Sequence, residues 1–291
     1  MAPKDRRIGI AFLLATALGW GLNWPILKAL LTELPPLQAR GWAGLGAMLG
    51  LMAVAKLMGE DLTVPRGERL RLVWYSFLNV TGWMGLATVG LLWLSASEGA
   101  IVAYTMPVWA ALMAWPVLGE VPRRSRIVAL VAGLLGVVVL LSSHGFAIDM
   151  AKLPGALIVL LGALLFAYGT VATKRAPLTM APAAIVAWQV GLGCAPLLLA
   201  GLVLEDAHFA RLSIEGWAAM IYMAVLPLCL CYLTWFAALR RLPAGAAAIG
   251  TLLTPAIGVL AAALSLGEPL GARQLLALCL TLIGIVLVVR D

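Results

Sequence analysis

Two stretches of the chain, 148 positions apart, share one pattern. Residues 96–120 are ASEGAIVAYTMPVWAALMAWPVLGE, and residues 244–268 are AGAAAIGTLLTPAIGVLAAALSLGE. Both are almost wholly apolar, carry Ala-Ile at the fifth and sixth positions and proline at the twelfth, and end in Leu-Gly-Glu. The two align without a gap. A proline and a Gly-Glu pair at one register indicate an internal duplication.

The composition identifies the environment of these stretches. Of the 291 residues, 63% are hydrophobic and 11% are charged, against about 25% charged in soluble domains. A soluble fold could not bury so much apolar surface, and a disordered chain would carry more charge. A β-barrel would show alternating segments rather than continuous apolar runs. Runs of about 20 apolar residues predict an all-α polytopic membrane protein. We expect ten transmembrane helices, at residues 8–31, 37–58, 70–93, 96–118, 127–141, 155–174, 183–204, 216–239, 244–266 and 274–289.

The duplication divides these ten helices into two sets of five. We place the first repeat at residues 1–142, a connecting outer loop at 143–154 and the second repeat at 155–291. Because five is odd, the second repeat enters the membrane from the opposite side to the first. Inverted-topology repeats of this kind are typical of secondary transporters, whose substrate site lies near the midplane between the halves.

The net charge of +7 is explained by topology. With a cytoplasmic amino terminus, fifteen Lys and Arg residues fall in inner regions and four in outer regions, namely Arg40, Lys152, Arg211 and Arg273. Lys28 lies within the first helix. This bias predicts that both termini are cytoplasmic, in the inner membrane of a prokaryote. The basic residues are scattered through short loops, so we expect no nucleic-acid partner.

Two local features of the sequence do not change the predicted fold. Basic residues at positions 4–7 precede an apolar run, and Ala15-Thr16-Ala17 resembles a signal-peptidase site, but the apolar pattern continues to Leu31. The four cysteines all fall in apolar segments and lack the spacing of a metal site. We therefore expect no metal and no cofactor.

With these features the chain resembles the drug/metabolite transporter superfamily, specifically its EamA type. The resemblance rests on Gly19-Trp20-Gly21-Leu22-Asn23-Trp24 with Lys28 in helix 1, on Pro107 and Pro255, and on Leu-Gly-Glu closing helices 4 and 9. It covers essentially the whole chain, and within the family the sequence is most similar to the YddG-type amino-acid exporters. The resemblance implies a metabolite exporter with a central cavity lined by helices 1, 3, 4, 6, 8 and 9.

Polar and aromatic residues at mid-membrane depth are the candidates for substrate contact. A polar group costs free energy inside a bilayer and so requires a partner, which is either a substrate or a neighbouring helix. The aromatic residues would give an apolar pocket, and their alternative is packing or lipid contact. For Lys28 the alternative is reaching the outer interface. The candidates are Trp20, Asn23, Trp24, Lys28, Asn79, Trp83, Tyr104, Pro107, Tyr168, Trp188, Gln189, Tyr232, Thr254 and Pro255.

No Asp or Glu lies in the middle of any predicted span, and both histidines fall in loops. A proton or sodium relay usually needs an intramembrane carboxylate. The sequence therefore favours uniport or exchange of small neutral or zwitterionic metabolites, most readily amino acids, by a protein that functions as a monomer. The alternatives are a multidrug exporter or a nucleotide-sugar carrier of the same fold. An intramembrane protease is disfavoured because it needs Ser with His, or paired Asp, inside the membrane.

Overall fold

The computed structural model describes residues 3–119, 124–141, 149–239, 241–242 and 253–289. Within these ranges the chain forms ten membrane helices and no strand, which confirms the predicted fold class. The helices are α1 (Pro3–Leu30), α2 (Pro36–Leu57), α3 (Arg69–Ser76, Phe77–Gly85 and Leu86–Gly90), α4 (Ala96–Ala103 and Met106–Leu118), α5 (Arg124–Leu141), α6 (Leu153–Arg175), α7 (Pro182–Leu204), α8 (Ile214–Val225, Leu226–Leu230 and Cys231–Leu239), α9 (Leu253–Leu266) and α10 (Ala272–Val289).

The exposed surface of this bundle is apolar. Five described helices are long and apolar enough to cross a bilayer, and α5, α9 and α10 carry shorter apolar runs. Large side chains such as Leu57, Val203 and Leu264 are 88%, 83% and 89% exposed. This surface requires lipid around it, because in water it would drive aggregation.

The connections gather at two ends of the bundle. We call the end where α1 starts and α10 finishes the terminal end, and the opposite end the distal end. At the distal end, Glu33 after α1 accepts hydrogen bonds from the backbone and hydroxyl of Ser213 before α8, and these bonds lower the pKa of the Glu33 carboxyl. At the terminal end, Glu68 before α3 accepts from the backbone N–H of Thr179 after α6. The helices thus alternate in direction.

Helix packing shows the inverted repeat directly. The large interfaces all run between the halves: α1 packs on α8 and α9, and α6 packs on α3 and α4. The remaining large interfaces are α2 with α7 and α5 with α10. Each contact maps onto itself or onto another when α1–α5 are exchanged with α6–α10, as a pseudo-twofold axis in the membrane plane requires.

The Leu-Gly-Glu motif ends α4 and α9 by the same mechanism. Gly119 and Gly267 have φ angles of 76° and 65°, the left-handed conformation that closes a helix and that favours glycine. Glu120 lies outside the described residues, as do positions 143–148 of the predicted connecting loop and positions 244–252 of the predicted ninth span.

Three predicted spans differ from the structure in detail. The third span contains a π-helical stretch, Phe77–Gly85, and its counterpart α8 contains another, Leu226–Leu230. The fourth span is interrupted at Tyr104 and Thr105, so that Pro107 lies at the start of a second helical segment rather than in mid-helix. Proline lacks an N–H and is well tolerated in a first helical turn.

Candidate substrate site

An aromatic cluster joins α1 to α8 near the middle of the bundle. Trp20 contacts the ring of Tyr232 edge-on, with centroids 5.6 Å apart, and lies 6.0 Å from Trp235. Its indole Nε1 donates to the carbonyl of Pro227, which lies in the π-helical stretch, at 3.0 Å. A π-helical turn changes the usual i to i−4 bonding, so a carbonyl there can accept from a side chain. Trp20 is therefore held in one orientation.

The other half contains an equivalent aromatic pair. Trp83 in α3 lies 5.7 Å from Phe166 in α6. Phe166 is 146 positions after Trp20, the offset that also aligns Lys28 with Lys174. The two pairs, each between a π-containing helix and the first helix of the other half, occupy equivalent places in the repeat. Phe166 was not predicted as a site residue, although the offset from Trp20 marks it.

Helices α1, α4 and α9 pack closely where they cross. Trp24 is buried there, and a Cβ placed on Gly99 or Gly258 would lie 3.0 Å and 3.4 Å from its indole atoms. The Tyr104 phenol lies beside Trp24 and Thr254. Tyr104 is also where α4 is interrupted, so its position depends on the helix break.

Several buried polar atoms in the predicted site have no partner within the described residues. These are Asn23 Oδ1, Thr254 Oγ1 and Asn79 Oδ1. Asn79 Nδ2 approaches Gln189 Oε1 only at 3.5 Å, at the limit of a hydrogen bond. A buried acceptor without a donor costs about 1–3 kcal/mol. Polar groups left in this state beside aromatic rings can accept hydrogen bonds from a bound solute.

Three predicted residues lie away from these clusters. Trp188 donates from Nε1 to the carbonyl of Leu62 at 2.9 Å and lines a groove of about 890 Å³ at the terminal end. Tyr168 is 38% exposed on α6. Lys28 donates to the carbonyl of Leu91 at the distal end. Trp188 and Lys28 thus lie near opposite ends of the bundle, and Tyr168 lies partly on its surface.

A network of charges closes the distal end. The Glu268 carboxylate, after α9, accepts from the backbone N–H groups of Ala96 and Ser97 at 2.6 Å and 2.9 Å, and from the Ser97 hydroxyl. Glu98 forms an ion pair with Lys152 at 2.6 Å. The Glu268 bonds connect the start of α4 to the second half, and the Lys152 ion pair connects it to the residue that precedes α6. Lys28 lies within electrostatic range of both carboxylates. The Leu-Gly-Glu motif of α9 thus caps α4.

One buried charge was not expected from the sequence. Arg40, counted above among the outer-region basic residues, lies inside α2 and is 4% exposed. Its Nε donates to the Thr88 hydroxyl at 3.1 Å. The sequence feature that could have identified this buried charge was an arginine within a predicted span. Its position near the start of the span made it resemble an interfacial residue instead.

Comparisons with known proteins agree with this architecture. The sequence profile of the EamA-like transporter family matches residues 7–142 and again 153–290. An uncharacterized transporter of Bacillus subtilis, YvbV, is 30% identical over 98% of this chain and 92% of its own length. A probable amino-acid metabolite efflux pump of Salmonella typhimurium is 28% identical, covering 97% and 94% of the two chains. A crystal structure with 18% identity superposes with a TM-score of 0.70 over 99% of this chain and 96% of that chain, which supports the fold. The chain is an integral membrane transporter and belongs to the EamA-like transporter family.

Proposed function

We propose that the protein exports small zwitterionic metabolites, foremost amino acids with apolar or aromatic side chains, by alternating access. The observation that carries the proposal is a pair of acceptors, Asn23 Oδ1 and Thr254 Oγ1, that have no hydrogen-bond partner among the described residues. They lie on helices that also carry the aromatic residues Trp20 and Trp24, and Tyr104 lies beside Thr254. Acceptors of this kind suit an ammonium group, and aromatic rings suit both an ammonium and an apolar side chain. The Salmonella relative, named for amino-acid metabolite efflux, supports this substrate class.

The orientation follows from the charge bias. We place the terminal end in the cytoplasm, because the basic residues of the α2–α3 and α6–α7 connections lie there. The distal end then faces the outside. We propose that the contacts of Glu268 and Lys152 with the start of α4 keep this outer side closed. Export requires this closure to open once substrate has entered from the terminal end.

The first prediction concerns the aromatic and amide groups. Trp20→Ala and Asn23→Ala are each expected to lower the initial rate of amino-acid flux by about 5–30-fold. Each variant loses a substrate contact worth about 1–2 kcal/mol. The measurement is uptake of radiolabelled leucine, phenylalanine and tryptophan into proteoliposomes, at equal amounts of folded protein. Trp115→Ala is the control, since Trp115 is 56% exposed.

The result separates the proposal from its alternatives. Wild-type flux from both site variants would overturn the choice of this face of α1. Saturable flux of a cationic dye or a nucleotide sugar, without amino-acid flux, would replace the proposed substrate class. Absence of flux for all solutes would contradict the proposal itself.

The second prediction concerns energy coupling. No carboxylate occupies the middle of a span, so the solute gradient alone should drive transport. Phenylalanine counterflow in proteoliposomes is expected to proceed at the same rate with equal pH on both sides, with an imposed proton gradient and with a protonophore. A strict requirement for the gradient would show that a proton is carried by a group other than a mid-membrane carboxylate.

A further inference from the structure

Arg40 is a permanent positive charge inside the protein. It lies one turn inside the start of α2, and only 4% of its surface is exposed. Arginine keeps its proton under all ordinary conditions, so burial does not neutralise it. A buried charge without a counter-charge is strongly destabilising, and such residues in membrane proteins mark functional sites by default.

The described residues leave most of this guanidinium unpaired. Nε donates to Thr88 Oγ1, and the Thr88 hydroxyl in turn donates to the carbonyl of Met84 at 2.6 Å. This fixes the base of the guanidinium and leaves its outer NH groups without a bond to any described residue. Among the described residues no carboxylate lies within ion-pair distance of Arg40.

The nearby carboxylates have other partners. At the distal end, Glu205 accepts from the backbone N–H groups of Leu37 and Gln38, both at 2.9 Å. Glu268 and Glu98 hold the start of α4 and Lys152, as described above. Glu205, Glu268 and Glu98 therefore cannot move to Arg40 without breaking a helix cap or an ion pair.

The guanidinium lies within electrostatic range of two groups in the second half. Its electrostatic neighbours are the Tyr232 phenol in α8 and the Cys194 thiol in α7. Tyr232 contacts Trp20, the residue that anchors the α1–α8 cluster. Arg40 therefore adds α2 to the six helices expected to line the cavity, and it adds a fixed positive charge to a site otherwise composed of aromatic and neutral polar groups.

We infer that Arg40 binds the carboxylate of the transported solute, so that the carrier selects carboxylates over the corresponding amines. The planar guanidinium pairs with a carboxylate through two parallel hydrogen bonds, which lysine cannot reproduce. An incoming carboxylate supplies the counter-charge that the described residues do not. The inference rests on the proposed function and sharpens it, because it assigns the carboxylate end of the substrate to one residue.

The test uses three probes that share a phenyl ring: phenylalanine, phenethylamine without the carboxylate, and 3-phenylpropionate without the ammonium. Wild-type protein in proteoliposomes is expected to transport phenylalanine in preference to phenethylamine. Arg40→Met, similar in size and uncharged, is expected to reduce that preference by about 30-fold or more, because phenylalanine flux is lost while phenethylamine flux is kept or rises once the repulsive charge is gone. Arg40→Lys should retain the charge and recover only part of the preference.

Further outcomes separate the inference from the proposed function. Phenylalanine transport by wild type with an unchanged preference in Arg40→Met would overturn the role of Arg40 and leave the function in place. If wild type transports no amino acid, binding of 3-phenylpropionate is measured as thermal stabilisation. Stabilisation of wild type that is lost in Arg40→Met would still support the carboxylate site. No stabilisation of wild type would overturn the carboxylate site.

Folding is controlled by a second variant. Should Arg40→Met not yield monodisperse protein, Thr88→Val keeps the charge and removes the hydrogen bond that positions it. This variant is expected to raise KM for phenylalanine several-fold while leaving phenethylamine unchanged. Equal changes for both probes would indicate a merely structural role and would overturn the inference.

Discussion

Alanine at Gly44 is expected to destabilise the protein by about 2–3 kcal/mol, through overpacking of the α2–α7 interface. A Cβ on Gly44 would lie 2.1 Å from the Sγ and 2.4 Å from the Cβ of Cys194, distances at which one helix must move. The gain in helix propensity from glycine to alanine, about 1 kcal/mol at most, is too small to offset this. We expect a thermal midpoint lower by several degrees and, for Gly44→Leu, almost no folded protein.

The neighbouring glycine gives a matched control. Gly46 lies on the same helix, but the nearest atom to its added Cβ is Ala224 Cβ at 3.6 Å, an ordinary contact. Gly46→Ala should leave the midpoint unchanged or raise it. Combining Gly44→Ala with Cys194→Gly moves the glycine to the opposite helix and should recover much of the loss. Equal midpoints for the two alanine variants would mean that the helices separate without cost at this point.

The sequence was sufficient for the helices and their repeat because both depend on apolar runs and on the spacing of a few prolines and glycines. The shared Leu-Gly-Glu motif predicted related helix ends, and the structure gives Gly119 and Gly267 the same left-handed conformation. Features of this kind depend on residues that are close together in the chain, so they can be recognised in a single sequence.

Side-chain direction could not be predicted in the same way. Trp188 and Arg40 both lie inside predicted spans, yet Trp188 is turned toward Leu62 at the terminal end and Arg40 toward Thr88 in α3. The direction depends on helix rotation, which the tertiary contacts set. The π-helical stretches of α3 and α8 were missed for the same reason: they contain ordinary apolar residues, and packing decides the extra residue in the turn.

Carboxylates hold two of the helix interfaces in different ways. The interface of α2 with α7 is held at both ends, whereas Glu268 holds the interface of α4 with α9 at the distal end. Between α2 and α7, Glu205 caps the start of α2 at the distal end, and Glu60 accepts from the backbone N–H of Ala183 at the start of α7 at the terminal end. Both caps are present together, so this pair is held at both ends. Between α4 and α9, Glu268 holds the distal end, and its counterpart in the repeat, Glu120, lies outside the described residues.

Glu268→Ala is therefore expected to let the interface of α4 with α9 open at the distal end. The change removes three hydrogen bonds to a carboxylate, worth together about 2–3 kcal/mol, which corresponds to about a 30–150-fold increase in the population open at the distal end. The reporter is Val259→Cys, a fully buried position in α9 where cysteine is the smaller side chain, in a Cys279→Ser background. Purified protein should react with a hydrophilic maleimide much faster once Glu268 is removed.

Glu205→Ala is the control because it removes the equivalent cap from the interface that is held at both ends. It should destabilise α2 without exposing position 259, since α4 and α9 keep their own closure. Similar labelling of the two variants would show that loss of either carboxylate loosens the whole bundle. Unchanged labelling in Glu268→Ala would show that the ion pair of Glu98 with Lys152 is enough to keep the distal end closed.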